Sequence, residues 1–468
     1  MKYSIKYENY DTKVSASDWR YAATIDGLIK YFSYNKIEYL IYYDEEEKEE
    51  YLLYRSDDIT EEKYLEFVEY NYSEELHHKI IERKLFNDEF SEDQIKEINE
   101  KLSANTIMKK VFGKKKFDGK NKQEILDTID KNRMDIIRET YRYKPNLYKN
   151  YCNTNQLFSE KNDYCRLLGY TLDAARKSRA TGYLFDKNAF IGDDIKEFDF
   201  IPFAFLGNTE SFFINDNLTI ERLVQTNKEF ERKVKAGIDE KNKRVDSRKA
   251  LFKGIIESAD FIDYDVEVIF KDISEEYFET LFIRKEAIDI LKKIDDYEVF
   301  AKSYKTKKDE WINIQKDVTD CILNNIVLDR YIENFLKDND KGYLVYKLIS
   351  VNILIRGEKN MKDRLKGAYA CAKKVVEAIP DNKIDAYKQK LTSSIIFKDY
   401  DRVCQILLQL SNYSDIEFGF VYDLFENFED NKDLAYTFIN ALAKEKKENN
   451  ENKGFVNFIW KKYSRNKK

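Results

Sequence analysis

Three prolines and 14 glycines in 468 residues leave this chain few enforced breaks. Proline removes a backbone donor and glycine loosens the chain, so their scarcity favours long helices. Burial rests on aromatics: 35 tyrosines and 31 phenylalanines do much of the work usually given to leucine and valine. An apolar fraction of 43% is ample for packed cores despite 36% charged residues, so the chain is not of the disordered class. The length points to two or three domains.

The stretch SDWRYAATIDGLIKYF (17–32) predicts the first helix. Ser17 is a candidate cap, Trp19, Ala22, Ala23, Leu28, Ile29 and Phe32 form a stripe, and Gly27 allows close packing. IEYLIYY (37–43) and YLLYR (51–55) flank DEEEKEE and read as a hairpin with an acidic turn. Thr60 opens a helix expected to run to about 86, and Ser91 with Gln94 reads as a capping box. GYLFDK (182–187), DFIPFAFL (199–206), ESFFIND (210–216) and DYDVEVIF (263–270) read as strands, with Pro202 placing its strand at an edge. A charged helix is expected over about 219–258. From about 280 no further strand is expected, and 3.6-residue apolar stripes run onward.

The expected fold class is therefore α+β: a mixed domain over 1–280, connecting helices over 281–360 and a helical bundle over 361–468. Five unclustered cysteines suit a reducing compartment. MKYSIKYENYD has no apolar signal core, and YLVYKLISVNILI is too short to cross a bilayer, so a cytoplasmic protein is expected.

Few residues suggest catalysis. His77 and His78 are adjacent on an expected helix, point about 100° apart, and read as surface residues. Cys152 and Cys165 lack the companions of a four-ligand zinc site. No phosphate-cradling P-loop is present. Asp186, Asp194 and Lys196 are the one nuclease-like set, two carboxylates and a lysine able to hold a divalent ion and orient water. The chain is not expected to be an enzyme, and no cofactor is expected.

Charge is segregated. Residues 38–100 hold 22 acidic and 7 basic side chains, and KKVFGKKKFDGKNK (109–122) then packs seven lysines into fourteen positions of a chain with net charge −6. Lys114, Lys115, Lys116, Lys120 and Lys122 stand around Gly113 and Gly119, where backbone and cations can approach phosphates. In ETYRYKPNLYKNYCNTNQ (139–156), Arg142, Lys144 and Lys149 alternate with Tyr141, Tyr143, Tyr148 and Tyr151, a pattern suited to stacking on unpaired bases. Asn153, Asn155 and Gln156 add groups able to read base edges. Arg176, Lys177 and Arg179 form a third basic group, and Lys241, Lys243, Arg244, Arg248 and Lys249 a fourth. Each alone is what a solvated face looks like; the series beside an acidic block favours nucleic acid.

The opening SDWRYAATIDGLIKYF resembles the start of the large subunit of type I CRISPR surveillance complexes (Cascade), the I-B branch in particular. DFIPFAFLGNTESFFIND is similar to that family's aromatic middle, and KDLAYTFINALA (432–443) to its C-terminal bundle. Many relatives carry paired CxxC knuckles where this chain has only Cys152 and Cys165, so the zinc site is absent from what the resemblance implies. The resemblance implies a non-catalytic subunit near the 5′ handle of a guide RNA. It would recognise a protospacer-adjacent motif in duplex DNA, aid strand opening and recruit a helicase-nuclease. Its partners would be guide RNA, target double-stranded DNA, the backbone and handle-binding subunits and a small subunit, with no membrane. The lysines at 114–116, 120 and 122 would hold the duplex and Asn153, Asn155 and Gln156 read the motif. Arg142, Lys144, Arg176, Lys177 and Arg179 would touch RNA or the displaced strand.

In the I-B branch a small subunit is often translated from an internal start. Met361, after Arg356-Gly357-Glu358-Lys359-Asn360, stands where such a start would make 361–468 a separate small-subunit-like product. A chance methionine in a surface turn is the plain alternative. Two rival classes remain open to the sequence: a metal-dependent defence nuclease, and a helical interaction protein with no nucleic-acid role.

Overall fold

A computed structural model describes residues 9–87, 89–160, 165–170, 194–239, 251, 264–294, 296, 299–300, 304–305, 311–312, 314–357 and 361–443. The fold is α+β. The described chain divides into two compact units: the first holds the residues up to 251 and Asp265–Ile283, the second Tyr264 and the residues from Arg284 onward.

The first unit is built around α1 (Trp19–Asn35). Asp18, not Ser17, caps it: its carboxylate accepts from the Arg20 amide at 2.7 Å. Trp19, Ala22, Ala23, Ile25, Leu28, Ile29, Tyr31 and Phe32 are all buried, which makes α1 a central helix and not a half-exposed one. Asp26 is buried on the same helix and meets the Lys30 ammonium at 2.9 Å. A Cβ added at Gly27 would lie 2.1 Å from the Phe200 carbonyl oxygen, so only glycine allows this approach. Gly27→Ala is therefore expected to destabilise the first unit by about 1–3 kcal/mol, an overpacking cost measurable by denaturant titration. A variant as stable as the parent would disprove the contact.

β1 (Thr12–Ser15), β2 (Leu40–Asp44) and β3 (Glu49–Tyr54) form an antiparallel sheet in the order β1-β3-β2, Val14 and Ile41 both opposing Leu52. The expected hairpin is there, its turn held by Asp44 Oδ1, which accepts from the Glu46 and Glu47 amides. The single helix expected from Thr60 is two, α2 (Glu61–Asn71) and α3 (His77–Lys84), separated by a turn at 72–76. In α4 (Glu92–Leu102) both bonds of the Ser91/Gln94 capping box form. Then come α5 (Thr106–Phe112), α6 (Lys122–Lys131), α7 (Arg133–Tyr143) and the short α8 (Tyr148–Tyr151).

The expected strand at 199–206 is helical. A 3-10 turn at Lys196–Phe200 leads into α9 (Ile201–Ala204), with Pro202 in the first turn, where its missing N–H costs nothing. An apolar run this short cannot be told from a buried helical segment by periodicity. Here it is enclosed: Phe200 packs against Tyr31 and Tyr64, and Phe203 against Phe67 at a 4.6 Å centroid distance. A second sheet joins β4 (Leu206–Gly207), β5 (Glu210–Asn215), β6 (Val266–Asp272) and β7 (Glu279–Ile283) in chain order, all antiparallel. α10 (Ile220–Asp239) lies between β5 and β6 in the chain. The helical stripe expected from about 280 begins only after Arg284, because Thr280 and Leu281 pair with Ile269 and Val268.

The second unit carries α11 (Lys285–Lys293) and a two-stranded ribbon of β8 (Tyr304–Lys305) and β9 (Trp311–Ile312) that the sequence reading also missed. Helices α12 (Ile314–Leu323), α13 (Asp329–Phe335), α14 (Gly342–Arg356), α15 (Met361–Ala378), α16 (Asp381–Ile396), α17 (Tyr400–Ser414), α18 (Phe420–Glu426) and α19 (Phe428–Ala441) follow. Met361 opens α15 and is buried. Helices before and after it share one polar network: Asn352 on α14 donates to Asp329 at 2.9 Å and to Asp433 on α19 at 3.1 Å, and Tyr436 donates to Glu333 at 2.7 Å. No helix among the described residues is long and apolar enough to cross a membrane.

Candidate nucleic-acid interface

The lysine run lies on a helical platform with its own core. Ile81, Leu85, Ile98, Leu102, Met108, Phe112, Phe117, Ile125, Ile129 and Ile136 form a cluster contributed by α3 to α7 and the loop between α5 and α6. That loop, 113–121, is anchored at its middle. Phe117 is buried against Phe90, and its backbone is clamped by one side chain: Asn99 Oδ1 accepts from the Phe117 amide at 2.8 Å while Asn99 Nδ2 donates to the Phe117 carbonyl at 2.9 Å. Asp118 Oδ1 accepts from the Lys120 and Asn121 amides, and these bonds hold its carboxyl below the usual range. Asn121 Nδ2 closes the loop onto the Lys116 carbonyl at 2.9 Å. Gly113 and Gly119 take positive φ, +56° and +89°, which favours glycine.

An ordered backbone thus presents Lys114, Lys115, Lys116 and Lys120 to solvent. Lys115 pairs with Glu124 at 2.8 Å, and Lys122, half-buried, donates to the Asn87 carbonyl at 3.2 Å. A surface pair of this kind contributes about 0–1 kcal/mol, so Lys115 can exchange Glu124 for a phosphate at small cost. Lys109 and Lys110, exposed on the last turn of α5, extend the same cluster. They stand in the same lysine run, outside the group expected from the sequence to meet phosphates. Nothing in the sequence signals the Asn99 clamp, which reaches 18 residues along the chain.

The Tyr-rich stretch is corrected. Tyr141, Tyr148 and Tyr151 are core residues and cannot stack on bases. Their hydroxyls are satisfied inside: Tyr141 with Tyr64 at 3.1 Å, Tyr148 donating to Asp199 at 2.6 Å, Tyr151 with Ser211 at 2.8 Å. Tyr143 alone of the four is exposed, at 47%, with the Arg142 guanidinium 4.9 Å from its ring centroid. Arg142 also donates to the Thr154 carbonyl and to Asn155 Oδ1, joining two candidate groups into one. Asn153 Oδ1 accepts from the Asn155 amide, so it shapes this turn. Gln156 Oε1 is buried without a hydrogen-bond partner. Lys144 is held by the carbonyl and carboxylate of Glu75; burial raises that carboxyl, and Lys144 more than offsets it, leaving Glu75 below its ordinary value.

Arg176, Lys177, Arg179, Asp186, Lys241, Lys243, Arg244, Arg248 and Lys249 lie outside the described residues. Asp194 of the nuclease-like set is fully buried, and both its oxygens bind Arg166, at 3.0 and 3.1 Å. It is a structural carboxylate, partnered by a residue 28 positions earlier, and the carbonyl of half-exposed Lys196 accepts from the same guanidinium at 3.4 Å. Among the described residues no cluster of His, Cys, Asp and Glu could hold a metal ion.

His78 is not the surface residue its sequence suggested. It is fully buried with Nε2 2.8 Å from Glu69, which Arg133 also grips. Its neighbour His77 is pushed down from 6.5 to about 4 by burial first and then by Lys144 and Lys101. A histidine kept neutral in the fold but free to protonate when unfolded makes the unfolded state the better proton binder between those values. Stability contributed by His77 is thus present above pH 6.5 and lost as pH falls toward 4. Denaturant midpoints are expected to fall across that window and to fall less in His77→Gln; identical profiles would contradict the assignment.

Comparison with family models places this α+β chain among CRISPR-associated proteins. It belongs to the family of CRISPR-associated protein Csx8, whose model matches residues 10–442. No curated protein and no solved structure matches the chain.

Proposed function

We propose that the chain is the non-catalytic large subunit of a type I, I-B-like CRISPR ribonucleoprotein. In this reading it recognises a protospacer-adjacent motif in duplex DNA, aids strand opening and recruits the helicase-nuclease. The supporting observation is the lysine loop: cations held on an ordered backbone, within an otherwise acidic chain whose family is CRISPR-associated. Phosphate contacts position and steer a protein on the duplex, while guide pairing reads the sequence.

The loop lysines grip the duplex backbone, and the Arg142–Asn155 turn, with Asn153 and Gln156 beside it, reads the motif. Arg176, Lys177 and Arg179 contact RNA or the displaced strand. Guide RNA, the backbone and handle-binding subunits and the small subunit complete the assembly. A small-subunit product begun at Met361 keeps α15 to α19 but loses the contacts of Asn352 and Arg356 with Asp433.

The test adds this chain to the remaining subunits loaded with guide RNA and offers a library of duplex targets that vary beside the matched sequence. Retention of a restricted set of flanking motifs, lost when the chain is omitted, is expected. Equal retention of all flanks, with or without the chain, would refute the motif-reading role.

A further inference from the structure

The second unit has a cavity of about 370 Å³ between the end of α13 and α16, lined among others by Lys337, Asp385, Lys388, Thr392, Ile396 and Phe397. Three features show a built site. Thr392 is only 4% exposed, and its buried Oγ1 has no hydrogen-bond partner, an arrangement that costs free energy and is relieved if the wall opens to a ligand. Lys388, at 7%, is a buried cation in the same wall. Phe397 is 80% exposed, and its backbone is fixed by the α16 cap: its amide bonds the Ser393 carbonyl and the Lys398 amide the Ile395 carbonyl, both at 3.1 Å. A large ring thus stands in water at the rim of a cavity lined by both polar and apolar groups.

We propose that this cavity takes one nucleoside monophosphate unit. The Phe397 ring offers a face for a base, Lys337 and Lys388 supply charge for a phosphate, and Asp385 can accept from a base N–H or a sugar hydroxyl group. The volume is at the lower end of small-molecule sites, room for one nucleotide and not for a run of them. The same chemistry is offered by a free nucleotide and by one residue of a single strand. The site does not depend on the lysine loop, which belongs to the other unit.

The experiment uses the full chain with the five loop lysines changed to alanine, so that the first interface is silent. A labelled oligothymidylate is titrated by anisotropy and free thymidine monophosphate by calorimetry, each at several salt concentrations. Retained oligonucleotide binding is expected, weakened about tenfold by Phe397→Ala, as for the loss of one base–aromatic stack. Lys337→Ala is expected to reduce the salt slope by about 0.7. Both residues are exposed, so the variants keep the fold, as a thermal melt will verify. Binding of the free monophosphate with the same Phe397 dependence identifies a nucleotide ligand; oligonucleotide binding alone identifies a strand. Absence of both, or an affinity unmoved by Phe397→Ala, overturns the proposal. Loss of duplex binding on neutralising the loop bears only on the earlier reading.

Discussion

Changing Lys114, Lys115, Lys116, Lys120 and Lys122 together to alanine is expected to weaken duplex DNA binding by about a hundredfold or more near physiological salt. Each lysine that neutralises a phosphate releases condensed counterions, so log K falls with log salt at about 0.9 per contact. Five lost contacts reduce that slope by about 4.5 units, and this is the decisive signature, because a merely misfolded variant would not bind at all. The fold should survive: four of these lysines are exposed, and the loop is held by Asn99, Asp118, Asn121 and Phe117, which the variant retains. Exposed substitutions away from packed features cost within about 0.5 kcal/mol. An unchanged slope with an unchanged melt would assign duplex binding elsewhere or to no part of this chain. It would favour the interaction-protein reading.

Arg166→Met is the second large effect, on stability. The Arg166 guanidinium is fully buried between Asp194, at 3.0 Å, and Asp199, at 2.9 Å, and also donates to the carbonyls of Ser159 and Gln156. Asp199 in turn accepts from Tyr148 and from the Phe158 amide, so one cation organises several segments. Removing one partner of a buried ion pair leaves uncompensated charge and costs about 3–5 kcal/mol. For a unit of this size that is a melting shift of about 10 °C. Burial already raises the Asp199 carboxyl despite the opposing Arg166 charge. Without Arg166 the Asp199 carboxyl rises further, so its protonation stabilises the variant's fold below the raised value and that support is lost as pH rises. The deficit should therefore be larger at pH 8 than at pH 5, and adding Asp194→Asn and Asp199→Asn should recover part of it. A melt indistinguishable from the parent would show that the triad is not holding the unit.

The parts legible in the sequence are those fixed by local chemistry. The hairpin around the acidic turn, the Ser91/Gln94 box and the close approach at Gly27 follow from neighbouring residues or from one residue's missing side chain. The lysine loop was legible for the same reason. What was not legible depends on partners far along the chain. Phe200 and Phe203 look like strand residues until Tyr31, Tyr64 and Phe67 enclose them. Tyr141, Tyr148 and Tyr151 have the same chemistry whether they meet a base or Tyr64, Asp199 and Ser211. Asp194 looked like a metal ligand because its partner, Arg166, stands 28 residues before it. β7 pairs with β6 across a hairpin whose apolar residues also fit a helical stripe, and the two-residue strands β8 and β9 are too short to carry a period.

Work inside a guide-RNA particle is tested by sequencing the RNA that co-purifies with a tagged copy of this CRISPR-associated chain expressed from its native locus. Short RNAs of uniform length sharing a repeat-derived 5′ handle, at a constant ratio to the chain, are expected if the proposed function is right. An intact, well-expressed preparation with no enriched RNA would contradict it.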